Sequence, residues 1–175
     1  MAGTLTVQNL QGPSSGANAN KVIIPSGQTL YAAGHVVQVV TNTNTSGVTV
    51  STTSLSDTGI SLSITPSLAT SKILIRFDVH YLLDTNASGV SFAIYRSIGG
   101  GADTLVESYP QDYTLYWRPA GSGAQQIRTI SPITNLDSPS TTSSVAYKLY
   151  ARYHTANAYI NSGGSSYIQL MEIAG

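Results

Sequence analysis

Three histidines, eight carboxylates and one dense aromatic segment are the residues of this chain that could do chemistry. His35, His80 and His154 are far apart in sequence and lack short-range ligand partners, whereas zinc needs three or four converging N, S or O ligands. His80 and His154 fall on the outward sides of two strand-like runs, so they could approach only in space or across copies of the chain. They are read as solvated or interface histidines, and no metal is expected. The acids are scattered singly, while glycoside hydrolysis wants two carboxyl groups about 5 to 9.5 Å apart in a cleft. Gly99-Gly100-Gly101 lacks the Lys-Ser/Thr of a phosphate loop and reads as a hairpin turn. No catalytic residue and no cofactor is assigned, and the chain is read as non-enzymatic.

The aromatic segment is Tyr109 to Arg118, YPQDYTLYWR. It holds Tyr109, Tyr113, Tyr116 and the sole tryptophan, Trp117, beside Asp112 and Arg118. Aromatic faces stack on sugar rings, and a neighbouring Asp or Arg can hydrogen-bond hydroxyls. Tyr and Trp also carry interface energy and fill cores. The six residues are therefore candidates for ligand or interface contact, with core packing as the alternative.

Elements that could position such residues are strands. Lys72 to Leu83 is the clearest alternation: Ile73, Ile75, Phe77, Val79, Tyr81 and Leu83 fall on one side, and Lys72, Arg76, Asp78 and His80 on the other. Val145 to His154 repeats the pattern, with Val145, Tyr147, Leu149, Ala151 and Tyr153 inward and Lys148, Tyr150, Arg152 and His154 outward. Val90 to Ile98, the run holding Ile60, Leu62 and Ile64, and Tyr167 to Ile173 complete the clearest strands. Cross-strand ion pairing is expected for Arg76, Asp78, Lys148 and Arg152. Turn chemistry at Asn86–Gly89, Gly99–Gly101, Ala120–Gly123 and Ser162–Gly164 separates the runs. Short strands with regular turns point to an all-β sandwich or barrel.

The totals narrow the function. Only 9% of the residues are charged, and eight positive and eight negative charges cancel, against about 25% charged in an average domain. Phosphate neutralisation by Lys and Arg is not provided for, so no nucleic-acid partner is expected. No apolar run approaches the ~20 residues of a membrane helix, and MAGTLTVQNL lacks the basic and apolar regions of a signal peptide; no membrane insertion is expected. No cysteine is present, which excludes disulfides and thiolate metal sites. Near-zero net charge leaves little repulsion against self-association. The small polar stretch Gly12 to Asn20 separates a first strand, Thr4 to Leu10, from the rest. Residues 1–34 are read as an arm and residues 35–175 as the head domain, the alternative being that the arm pairs at a sheet edge of its own domain.

Three stretches together carry a resemblance. The opening GTLTVQNLQGPSSGANANKVIIPSGQTL, the middle TGISLSITPSLATSKILIRFDVHYLL and the closing SSYIQLMEIAG resemble small fibre and decoration proteins of tailed phages, notably those of marine cyanobacterial and related hosts. The resemblance implies an antiparallel jelly-roll β-sandwich similar in outline to trimeric tumour-necrosis-factor and C1q-like domains. It implies a homotrimer at the virion surface, assembled in the host cytoplasm. Tyr147, Tyr150, Tyr153, Tyr167 and Leu170 would pack between subunits. Leu5, Val7, Leu10, Val22, Ile23 and Ile24 in the arm would attach the head to a phage capsid or tail protein, and a host-surface glycan would be a further partner. Shaft repeats, heptads and a collagen-like period are missing, which favours a short knob, with a carbohydrate-binding β-sandwich as the alternative.

Overall fold

The computed structural model describes residues 11–19, 21–26, 32–83, 88–109, 114–118 and 125–175. Packing divides the chain into Met1–Tyr31 and Ala32–Gly175. In the first unit, turns are closed by the Ala19 N–H on the Gly16 carbonyl and the Lys21 N–H on the Asn18 carbonyl. Val22, Ile23 and Ile24 expose their side chains. The expected strand Thr4 to Leu10, with Leu5, Val7 and Leu10, lies outside the described residues.

The second unit is all β, with no helix among the described residues. Its strands are β1 (Val36–Asn44), β2 (Val48–Val50), β3 (Ser56–Ile64), β4 (Lys72–Leu83), β5 (Ser88–Ile98), β6 (Thr104–Tyr109), β7 (Leu115–Trp117), β8 (Ile127–Asp137), β9 (Val145–Tyr153), β10 (Ala158–Ile160) and β11 (Ser166–Ile173). Every pairing is antiparallel. β8 runs along one side of β4 for nearly its whole length. β11 and β10 lie end to end along the other side, against Lys72–Asp78 and Tyr81–Leu83. β1 and β2 in turn flank β11 and β10. The pairs β1 with β2 and β10 with β11 are thus interrupted single rows, and so are β6 with β7, which share one side of β5.

Eight rows result, four per sheet. Numbered in chain order, one sheet reads 1-8-3-6 and the other 2-7-4-5. The chain crosses between sheets at every connection except the β5–β6 hairpin, which is the winding of a jelly roll. The expected antiparallel jelly-roll sandwich is therefore the observed fold.

The alternation of β4 explains the core. Ile73, Ile75, Phe77, Val79, Tyr81 and Leu83 are fully buried, as are Val90, Phe92 and Ile94 of β5 and Val145, Tyr147, Leu149 and Ala151 of β9. Tyr81 from one sheet meets Phe92 from the other edge-to-face, with ring centroids 5.4 Å apart, a favoured geometry for the aromatic quadrupoles. In β3 the pairing with β9 slips between Asp57 and Ser61. Gly59 takes φ 74° there, a left-handed backbone that other residues adopt at a cost, and the Asp57 carboxylate accepts its N–H at 2.8 Å. Ser88 and Gly89, expected in a turn, instead open β5.

Glu172 joins three segments at one end of the sandwich. Its buried carboxylate accepts from the Gln38 amide of β1 at 2.6 Å, and from the Ser67 N–H at 2.7 Å and Ser67 hydroxyl at 3.1 Å in the β3–β4 connection. Burial opposes ionisation, but hydrogen bonds from Gln38 and Ser67 outweigh it and hold the carboxyl below its ordinary value. A carboxyl whose folded pKa is depressed stabilises the fold above its unfolded pKa, about 4.3. That contribution disappears as the pH falls through the folded value. Urea unfolding between pH 6 and pH 3, read at equal ionic strength, should therefore show a loss of stability that Glu172→Gln makes shallower.

Candidate functional site

The outward sheet faces of the sandwich carry the candidate surfaces. Among the described residues, no group of three His, Asp or Glu side chains could hold a metal ion. His35 is exposed before β1, His80 faces outward on β4, and His154 follows β9 on the other sheet with Nε2 2.8 Å from the Ser91 hydroxyl.

The first face is that of the sheet β1–β11–β4–β8. The register sets Val39 opposite Met171, Met171 opposite Leu74, and Leu74 opposite Leu136. Their neighbours Leu170 and Ile75 point into the core, so these four point outward and form an apolar row across all four strands. Val39 is 49% exposed and Leu136 50% exposed. Val36, Tyr167 and Ile130 add further exposed apolar surface to the same sheet. Charge on this face is sparse. Arg76 and Asp78 neutralise one another, with Nη2 2.9 Å from the carboxylate. This pair is two residues apart on one strand, not across strands as expected, because their side chains share the outward side and the guanidinium reaches along it.

No family model matches this chain, and no curated protein matches it. Among solved structures it is similar to the VP2 subviral particle of infectious bursal disease virus, at 10% identity and a TM-score of 0.48, over 93% of this chain and 41% of that one. The Gx strain of the same virus gives 14% identity and a TM-score of 0.38 over 85% of this chain and 32% of that one. The Gt strain gives 8% and 0.42 over 88% and 42%. The chain thus spans less than half the length of each of these proteins. The jelly-roll assignment rests on the row order of the chain itself.

The second face belongs to the sheet β3–β9–β5–β6. Tyr95 and Tyr150 stack on it, with centroids 4.0 Å apart and planes 27° apart. The Tyr150 hydroxyl donates to Asp103 at 2.6 Å. Lys148 Nζ lies 2.8 Å from Asp103 and 3.9 Å from Asp57. The Asp103 carboxyl is held below its ordinary value by the hydrogen bond from Lys148 and then by that from Tyr150. Tyr150 is pushed far up by the same Asp103 hydrogen bond and by burial, so its phenol stays a donor. Arg152, on the next outward position of β9, has neither an ion pair nor a hydrogen bond among the described residues, and its Nε is buried without a partner. The expected pairing of Lys148 across strands is met through Asp57 of β3 and through Asp103 before β6, whereas Arg152 has no acid partner among the described residues.

The aromatic segment divides. Tyr109 ends β6 and its hydroxyl donates to the Thr134 carbonyl of β8. Leu115 and Trp117 of β7 turn inward and pack against the core. The Trp117 indole N–H has no acceptor among the described residues. Tyr116 faces outward between them, and Arg118 is exposed. Asp112 and Tyr113 lie outside the described residues. The five residues expected to pack between subunits do not share a face either. Tyr147 and Leu170 are fully buried inside one chain and Tyr153 packs partly against the core. Tyr150 and Tyr167 stand on opposite outer faces. The surface features that sequence reading missed are the apolar row and the Tyr95–Tyr150 pair. Leu74, interrupting the polar side of β4, was the available signal for the first.

Proposed function

We propose that this protein is a structural component of a virus particle: a jelly-roll head that associates with two further copies of itself and is attached by residues 1–34. The observation that carries the reading is the apolar row Val39–Met171–Leu74–Leu136. An outward sheet face that is apolar across its full width calls for cover, and a net charge of zero opposes self-association little. A second copy is the occupant that fits the row, because the row itself is uncharged and Arg76 and Asp78 beside it neutralise one another, although Lys72 and Arg128 leave exposed positive charge elsewhere on the face. Resemblance of the opening, middle and closing stretches to small fibre and decoration proteins of tailed phages supports a place on the virion surface, reached after assembly in the host cytoplasm. Exposed Val22, Ile23 and Ile24 suit attachment to a capsid or tail protein. Sedimentation should give about three times the 18.3 kDa of one chain, and antibody against the head should label purified particles. A monomer at high concentration that is also absent from particles would defeat the proposal.

A second reading, a carbohydrate-binding sandwich, is favoured by the outward rings of Tyr95, Tyr150 and Tyr116 on the other sheet.

A further inference from the structure

We infer that the outward face of β9 and β5 is a binding site for an acidic saccharide, with Arg152 taking the sugar carboxylate. The inference rests on the carbohydrate-binding reading and adds the site and the ligand class.

Three observations lead to it. First, the tyrosine pair is held in place. Tyr95 lies against Tyr150, Tyr150 is tied to Asp103, and Asp103 is tied to Lys148. An aromatic surface fixed in this way loses little side-chain freedom when a ligand settles on it. Ring faces are electron-rich and attract the polarised C–H groups on the flat side of a pyranose.

Second, hydroxyl-binding groups stand beside the rings. Lys148 is directly opposite Tyr95 in the strand register, and its ammonium and the Asp103 carboxylate lie within reach of a sugar on the platform. Both side chains are part-exposed, at 26% and 21%, with Asp103 Oδ1 itself shielded from water.

Third, the charge on the other flank is unanswered among the described residues. Arg152 is opposite Ser91 in the register and two residues beyond Tyr150 on the same outward side. Arg76 is matched by Asp78, Arg96 by Asp137, and Arg128 donates to the Ser162 carbonyl at 3.2 Å. Arg152 is half-buried, and its Nε has neither water exposure nor a partner. Partial burial of a cation without a counter-charge costs free energy that an anionic ligand would recover. A guanidinium fork binds a carboxylate through two parallel hydrogen bonds. A neutral sugar would leave that fork unused, which selects a uronic or similar acid.

The probe is a trimer of galacturonic acid, compared with its carboxyl-reduced neutral counterpart and titrated into the full chain by calorimetry and by amide NMR. The acid should bind with shifts centred on Tyr95, Lys148, Tyr150 and Arg152. It should bind at least about tenfold more tightly than the reduced form. Arg152→Gln should remove that preference. Lys72→Gln, which deletes one exposed positive charge on the other sheet, should leave it. Tyr95→Ala should weaken both forms, and it serves as the second variant should Arg152→Gln unfold. If the reduced trimer binds as well as the acid and Arg152→Gln changes nothing, the saccharide reading stands and the inference of an acidic ligand is overturned. An equal loss in Lys72→Gln and Arg152→Gln also overturns it, since the attraction is then general charge. No binding up to about 10 mM overturns both.

Discussion

Asp137→Ala should lower the free energy of unfolding by about 3 kcal/mol. Asp137 ends β8, and its side chain turns inward between the sheets. It accepts from Arg96 Nη1 at 2.6 Å and from the Tyr147 hydroxyl at 2.9 Å. Both donors come from the opposite sheet, so the carboxylate fastens β8 to β5 and β9. Removing one partner of a fully buried ion pair costs about 3–5 kcal/mol, because the other charge is left uncompensated. Arg96 is 26% and Asp137 11% exposed, and solvent would screen part of that loss. The abandoned Tyr147 hydroxyl then adds about 1–3 kcal/mol, since its residue is fully buried. Burial, and next the Asp137 charge, push the Tyr147 phenol far above its ordinary value, so it stays a donor at any working pH and loses its acceptor outright. For a chain of this size the melting temperature should fall by about 6–12 °C. Tyr147→Phe should cost only about 1 kcal/mol, because Arg96 keeps its counter-ion. A double-mutant cycle over Asp137 and Arg96 measures the shared part. Additive losses would mean that the two side chains do not act as a unit.

How far the sequence reveals this molecule depends on which sides of a strand are covered. β4, β5 and β9 were legible because one side of each is core and the other is mostly polar, which leaves a clean period of two. β8 was not. Its apolar residues are Ile127, Ile130, Ile133 and Leu136, spaced by three, with Pro132 among them. Ile127 and Ile133 point inward, while Ile130 and Leu136 point outward. Apolar residues on both sides erase alternation, and Pro132 reads as a breaker although it stands on an edge strand, where a missing N–H is tolerated. β1 was passed over for a similar reason, since Val39 faces outward while Val40 packs against the core. The jelly-roll expectation came from resemblance alone, because strand periodicity says which side is buried and nothing about which strands are neighbours. Candidate residues were legible only in type. Tyr, Trp and Arg were singled out as chemistry-bearing, and of these Trp117 turns inward. The ring pair formed between Tyr95 and Tyr150, whose separation of 55 positions no spacing rule connects.

The same outward apolar residues that hid β8 give the second large effect. Leu136→Glu and Val39→Glu should each convert the associated protein to monomer while leaving the head folded. Both positions are about half exposed in the single chain, so a carboxylate there remains hydrated before association, and the fold should change by no more than about 0.5 kcal/mol. In the proposed association each residue lies in the row that a second copy covers. A carboxylate buried there without a partner costs about 3–5 kcal/mol at each contact. Rotational symmetry repeats that cost at every interface and sets equivalent negative charges close together. An interface stabilised by apolar contact alone does not absorb such a penalty, and dissociation should shift by at least about a hundredfold in concentration. Leu105→Glu is the control. Leu105 is 55% exposed on β6, on the other sheet, so the same chemical change there should leave association intact. Analytical ultracentrifugation over a dilution series separates the cases, with near-identical melting curves confirming the fold. If all three variants sediment like the parent, the row is not where copies meet. If Leu105→Glu alone dissociates the protein, the outward face of β3–β9–β5–β6 takes its place.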